Sequence, residues 1–257
     1  MENFDERGYK YAVIEFAARA AKLMLENGGE TYRAEDITAR ITSSGGYPQA
    51  GAYVTPTVIM VNSNDEDAIS FHLRIQERGT NLEKVKLLND TVREFTSGDI
   101  KIPEAYKKLD EIAGHKNYSM PANIIFAGIV GGSFAVIFKG GLCEFLTAFM
   151  TALVAEYAFV KVSFFSKTNY LAYIISSLCI GFFAKLFALV FLPSSVHTVI
   201  SGAMMPILPG AVLTNGVRDL INGDLLSGVS RLFEALIIGS FIAFGVGFGM
   251  TIWRLFV

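Results

Sequence analysis

The chain is poor in the residues that most catalytic sites are built from. In 257 residues it has two cysteines, Cys143 and Cys179, three histidines and one tryptophan. Both cysteines fall inside apolar segments, where they read as small hydrophobes and not as redox or metal ligands. No glycine-rich phosphate loop, nucleophile elbow or His/Cys pair at metal-ligand spacing occurs. The expectation is a protein that is no enzyme, holds no metal or cofactor, and does not itself hydrolyse ATP. A strong positive balance is missing too, since the net charge is -2. That excludes a basic nucleic-acid surface.

Charge is instead distributed unevenly. Residues 1–119 carry 15 Lys and Arg against 19 Asp and Glu, and residues 120–257 carry only 7 against 5. The first part reads as a cytosolic α+β domain and the second as an integral membrane α-helical domain whose partner is the lipid bilayer. No apolar segment precedes Met120, and Glu2, Asp5 and Glu6 stand where a secretory signal would be basic. A spanning helix needs about 20 mostly apolar residues. Five stretches qualify, near 120–138, 142–160, 170–192, 196–213 and 226–253. With the amino-terminal domain inside, Lys107, Lys108, Lys116, Lys161, Lys167, Arg218 and Arg231 fall on the cytosolic side, and only Lys139 and Arg254 fall outside. The positive-inside tendency therefore favours a cytosolic N-terminus and an external C-terminus.

Within the first part, Val13, Phe16, Ala17, Ala20, Leu23 and Met24 recur at helical spacing between Arg7 and Asn27, and Gly28-Gly29 supplies a stop. A second helix is expected from Tyr32 to Thr42. A β-branched run covers Ala52 to Asn62, with Pro56 marking an edge or bulge. Ile69, Phe71, Leu73 and Ile75 alternate with polar neighbours, the signature of a half-buried strand whose His72 faces solvent. Asn81 suits the cap of a helix to Thr96, and Pro103 suits the first turn of another. Glu30, Glu35 and Asp36 are the acids expected near a helix start.

Charges inside a membrane segment need a reason. Glu156 and the Arg231/Glu234 pair are explained by snorkelling and a local ion pair. Lys185 lies roughly 10 Å inside the outer end of its span at Leu192. Glu144 is the nearest opposite charge by depth; either the two face each other across a polar cavity, or Lys185 snorkels outward. The fourth span is broken: Pro206 falls about 15 Å in, near the middle of the hydrocarbon layer, and Pro209 and Gly210 follow. Broken helices at this depth are tolerated where backbone is covered by protein or lines a wet cavity, as in many secondary transporters. Beyond the break, Thr214, Asn215, Arg218 and Asp219 supply polar groups, with Asn215 and Asp219 on one face if a helix resumes. A kink that only shapes packing is the alternative.

These segments resemble the threonine/serine exporter family, including shorter relatives proposed to export dicarboxylates such as succinate. The likeness rests on GGETYRAEDITARI from Gly28, TPTVIMV from Thr55, RGTNLEKVKLLND from Arg78 and, most specifically, PILPGAVLTNGVRDLINGDLLSGVSRLFEA from Pro206. The resemblance implies proton-coupled export of a small carboxylate-bearing or amino-acid substrate across a bacterial inner membrane, and points to Pro209, Gly210, Thr214, Asn215 and Asp219. The longest family members look like this chain fused to a smaller membrane module, so the resemblance also implies a second small membrane subunit or a homo-oligomer. The rival reading is a membrane scaffold or sensor with a ligand-binding cytosolic domain.

Overall fold

The computed structural model describes residues 5–65, 68–76, 78–115, 118–166, 169–190 and 194–253. Lys116, Lys167, Leu192 and Arg254, used above for orientation and depth, lie outside the described residues. The described elements run α1 (Glu6–Glu26), α2 (Thr31–Ser44), β1 (Gly51–Val54), β2 (Val58–Asn62), β3 (Ser70–Arg74), α3 (Leu82–Ser97), α4 (Ile102–Gly114), α5 (Met120–Ile137), α6 (Leu142–Phe165), α7 (Tyr170–Val190), α8 (Val196–Ala203), α9 (Gly210–Ile221) and α10 (Leu225–Trp253). A 3-10 turn, Met205–Ile207, separates α8 from α9. By internal contacts the chain divides into one unit of Met1–Asn117 with Ala211–Phe233 and another of Tyr118–Gly210 with Glu234–Val257. The segment after Gly210, placed by sequence reading at the end of a membrane span, thus groups with the amino-terminal residues.

The first unit is organised on α1. Its cap, Asp5, accepts the Gly8 N–H at 2.8 Å. Of the expected stripe, Val13, Phe16, Ala17, Ala20 and Met24 are fully buried and Leu23 is half-buried; Ile14, Ala18 and Ala21 are fully buried too. Small alanines let neighbours approach on several sides, and α1 touches α2, α3, α4, β2 and β3. Asn81 caps α3 by accepting the Lys84 N–H at 3.0 Å, and Pro103 stands in the first turn of α4. The β-branched run is not one strand. It folds back at Pro56 into an antiparallel hairpin, β1 on β2, with Val54 opposite Ile59. The Thr55 N–H donates to the Val58 carbonyl at 2.8 Å, and the Thr55 hydroxyl accepts the Val58 N–H at 3.1 Å. Proline's fixed φ favours that reversal, which an edge or bulge does not require. β3 completes the sheet in the order β1-β2-β3, with Phe71 and Leu73 turned inward and His72 outward.

The second unit is a helical bundle. Met120–Ile137, Leu142–Phe165, Tyr170–Val190 and Leu225–Trp253 are each long and apolar enough to cross a membrane, and the interrupted pair Val196–Ile207 and Gly210–Ile221 makes a fifth span if counted as one. The bundle core is small-residue rich: Ala135, Ala148, Ala152, Ala155, Ala184 and Ala203 pack with Ile180, Val199 and Ile238. Many larger apolar side chains face outward, among them Ile125, Phe126, Leu146, Phe164, Phe165 and Phe244. That inversion is expected when the surrounding solvent is hydrocarbon, because helix association in lipid depends on close packing and not on expelling water.

Candidate functional site

Two segments far apart in sequence build a polar knot inside the first unit. One is the corner between α1 and α2. Gly28 has φ +90°, a left-handed conformation open to glycine, and this lets the Gly29 N–H return to the Met24 carbonyl at 2.9 Å. A Cβ on Gly29 would sit 2.2 Å from the Met24 sulfur, so the corner needs a second glycine for space. The turn leaves the Gly28 and Gly29 carbonyls unused by α1, and leaves α2 with Glu30 at its cap position making no side-chain cap bond.

The other segment is the hairpin of α9 and α10. Gly223, at φ +92°, closes it, and the Asp224 N–H returns to the Asp219 carbonyl at 2.9 Å. Gly216 lies so close to α10 that a Cβ there would stand 3.1 Å from Arg231 and Leu232. Asn215, Gly216 and Asp219 form the buried face of α9, as their spacing requires.

The two segments meet, 188 residues apart in sequence. The Asn215 amide donates to the Gly28 carbonyl at 2.9 Å, and the Arg231 guanidinium to the Gly29 carbonyl at 3.1 Å. Asp219, with no exposed surface, accepts the Thr31 N–H and the Thr31 hydroxyl, each at 3.1 Å. Its carboxylate also lies 3.0 Å from the Arg231 Nε. Asp219 therefore acts as the N-cap that α2 lacks locally: it meets an orphan backbone donor and the positive end of the helix dipole. Beside it Glu30 pairs with Arg218 and, at 3.1 Å, with Arg33. Two ion-paired clusters, Asp219 with Arg231 and Glu30 with Arg218 and Arg33, thus stand side by side on the corner. Burial alone would raise the Glu30 carboxyl, but its own backbone N–H, Arg218 and Arg33 together hold it below the usual range.

Glu35 stands in α2, five residues past the Glu30 cap position, and behaves oppositely. Burial pushes its carboxyl up, the Val54 N–H at 3.1 Å pulls it down, and Asp224 and Asp219 add to the rise. A raised carboxyl favours its neutral form in the fold. The resulting stabilisation is complete below the unfolded value of 4.5 and is lost as pH climbs through the folded one. Glu35→Gln keeps an acceptor for Val54 and removes the charge. The variant is therefore expected to unfold at a higher temperature than the parent near pH 7, with the gap closing near about pH 4; thermal unfolding at the two pH values checks this.

The remaining sequence candidates lie elsewhere. The chain leaves α8 through the 3-10 turn holding Pro206, becomes extended at Leu208, as a residue before proline must, and re-enters helix at Gly210 after Pro209. Thr214 lies on an exposed turn of α9. In the second unit, Glu144 accepts the Gly141 N–H at 2.8 Å and the Ser195 N–H at 3.0 Å, so it caps α6 and tethers the start of α8. The Lys185 ammonium lies 6.0 Å from the centre of the Trp253 ring. Among the described residues no ion pair joins Glu144 to Lys185. Among them, too, no group of three or more His, Cys, Asp or Glu is placed to hold a metal ion.

Sequence reasoning missed Glu30 and Arg231 as members of the knot, treating one as a helix-start acid and the other as part of a local pair. The sequence hid this, because Thr31 before the expected start at Tyr32 reads as an ordinary cap, whereas α2 begins at Thr31 and puts Glu30 at the cap position. A helix start without a local cap calls for a distant one.

A family model described as "Putative threonine/serine exporter" matches residues 15–253. The chain belongs to the threonine/serine exporter family. It is 26% identical over 254 residues to a protein named threonine/serine exporter from Corynebacterium glutamicum, a match that covers 93% of this chain and 51% of that one. Proteins named pheromone-regulated membrane protein 10 are also similar: 24% identical in Debaryomyces hansenii and 23% in Yarrowia lipolytica, covering 24% and 20% of their lengths. The chain thus spans about half, or less, of the curated relatives it matches. No solved structure matches it. For this exporter-family chain, the segments that carry the resemblance at Gly28 and at Pro206 are the same two that meet in the polar knot.

Proposed function

We propose that this chain is a subunit of a secondary exporter for small carboxylate-bearing metabolites, threonine or serine first and a dicarboxylate such as succinate second, coupled to protons. The observation that carries the reading is the match to an exporter family over residues 15–253. The chain is then a multi-pass protein of a bacterial inner membrane, with the amino-terminal unit cytosolic, the C-terminus outside, and a second small membrane subunit or another copy completing the pathway.

The interrupted helix supports a pathway along Pro206, Pro209, Gly210 and Thr214. The Gly210 N–H donates to the Leu208 carbonyl at 2.8 Å, and the start of α9 carries the partial positive charge of a helix end, suited to a substrate carboxylate. A Cβ on Gly210 would meet nothing within 4 Å, so backbone there is open to approach. Lys185 is the candidate counter-charge for the carboxylate, and Glu144 holds the start of α8. Asn215, Arg218 and Asp219, seated on the α1–α2 corner, take the role of a latch on α9: releasing them lets the helix move.

The test is counterflow in proteoliposomes containing the chain, alone and with the candidate small subunit. Uptake of labelled threonine, serine or succinate that accelerates with an opposing unlabelled pool or a pH gradient is the expected outcome. Absence of counterflow for all three, in both preparations, overturns the reading.

A further inference from the structure

Away from the knot, α2 and α3 enclose a groove of about 560 Å³ in the first unit. Each helix contributes two bases seven residues apart, Arg33 and Arg40 from α2 and Lys86 and Arg93 from α3. Seven residues are close to two helical turns, roughly 10 Å, so each pair lies on one face, and packing of Ile37 and Ile41 with Leu88 and Val92 in a common core brings the helices together. Asn89 adds an amide, and Asp90 is the single acid of the lining. Four bases to one acid is the reverse of residues 1–119 as a whole, where acids outnumber bases by 19 to 15.

The existing ion pairs leave these cations available. Arg40 pairs with the exposed Asp36 at 3.2 Å, and Arg93 with Asp90 at 3.7 Å. Exposed pairs of this kind contribute little, and a multiply charged anion readily replaces them. Arg33 is different, because its partner Glu30 is buried and is shared with Arg218 of α9.

We propose that the α2–α3 groove binds a phosphate-bearing anion, and that Arg33 reports its occupancy to the knot. Two pairs of cations facing one another across two helical turns match a group with several phosphate oxygens, such as a diphosphate, better than a single carboxylate; guanidinium groups bind such oxygens in bidentate fashion. An anion that engages Arg33 draws it from Glu30, leaves Glu30 to Arg218 alone, and so shifts the contacts that seat α9 on the α1–α2 corner. The same chemistry is offered by a soluble phosphorylated metabolite and by an anionic lipid headgroup. The site is independent of the export reading and stands if that reading fails.

The experiment uses the full chain in phosphatidylcholine nanodiscs, titrated with inorganic pyrophosphate by calorimetry. Saturable binding is expected, weakened at least about 10-fold in Lys86→Ala/Arg93→Ala, since two charge-assisted contacts are lost. Both side chains are exposed, so folding is kept, and Lys107→Ala on α4 should bind as the parent does. No saturable binding, or binding that ignores the double substitution, overturns the site. In discs containing phosphatidylglycerol, a loss of pyrophosphate affinity in the parent assigns the groove to a headgroup; unchanged affinity assigns it to a soluble phosphate. Hydrogen exchange completes the test: saturation should alter protection around Gly28–Thr31 and Asn215–Asp219, and unchanged protection refutes the link through Arg33.

Discussion

Asp219→Ala is expected to destabilise the first unit by about 3–5 kcal/mol, the usual consequence of removing one partner from a buried ion pair. The loss has three parts. The Arg231 side chain, 8% exposed, keeps its bond to the Gly29 carbonyl and loses its counter-charge. The Thr31 N–H and hydroxyl lose their acceptors in a place water does not reach, each unmet donor costing about 1–3 kcal/mol. The start of α2 loses the side-chain cap that Asp219 supplies, worth about 1 kcal/mol. These parts overlap and do not add. Asp219→Asn keeps an acceptor of the same shape and should fall between the parent and alanine. Adding Arg231→Leu to Asp219→Ala should restore part of the stability, because no unpaired charge then stays buried. Denaturant unfolding of the full chain in detergent, followed through α1–α2 hydrogen exchange, measures all four. If Asp219→Ala unfolds like the parent while counterflow is lost, the aspartate works only on the transported species and the latch is wrong.

The parts of this fold legible from sequence are those fixed by neighbours. Asn81 capped α3 as read, because a cap needs only the residues three places on. The alternation at Ile69–Gln76 gave β3 its inward Phe71 and Leu73 for the same local reason. The shared face of Asn215 and Asp219 also followed from helical period alone. What that face meets did not follow, since a helix period contains no information on a corner 188 residues away. Depth arithmetic has the same limit for Glu144 and Lys185. It fixes how far a residue lies along its helix and says nothing about the direction in which it points, and Glu144 was already engaged by two backbone N–H groups. The run from Ala52 to Asn62 was misjudged at Pro56, where both halves have strand composition and only the reversal between them tells a hairpin from a bulged strand. In α6 the helix continues to Phe165, past the 160 set by hydropathy, with the Lys161 ammonium 5.7 Å from the Tyr157 ring centre: a charge can end an apolar span without ending its helix.

Gly181→Val and Gly249→Val should each destabilise the bundle by about 3 kcal/mol, the upper end of the range for overpacking. Both glycines lie in the seam between α7 and α10, and in both the obstacle is backbone. A Cβ on Gly181 would stand 2.3 Å from the Val246 carbonyl oxygen, and one on Gly249 would stand 2.3 Å from that of Leu178. A side chain can rotate away from a new methyl group, but a helical carbonyl cannot do so without parting the two helices. In lipid no expelled water compensates for the parting, since the gained gap is filled by chains as apolar as the helices themselves. Gly247, two residues before Gly249 on the same helix, meets nothing within 4 Å. Gly247→Val is accordingly expected to stay within about 0.5 kcal/mol of the parent, which separates a packing effect from a general intolerance of valine in α10. The double variant Gly181→Ala/Gly249→Ala should cost less than its two singles together, because helices already moved apart by one methyl group have room for the other. Unfolding titrations in mixed detergent read these differences. If Gly181→Val and Gly247→Val unfold at the same midpoint, α7 and α10 do not pack along this seam, and the bundle must be held by other contacts.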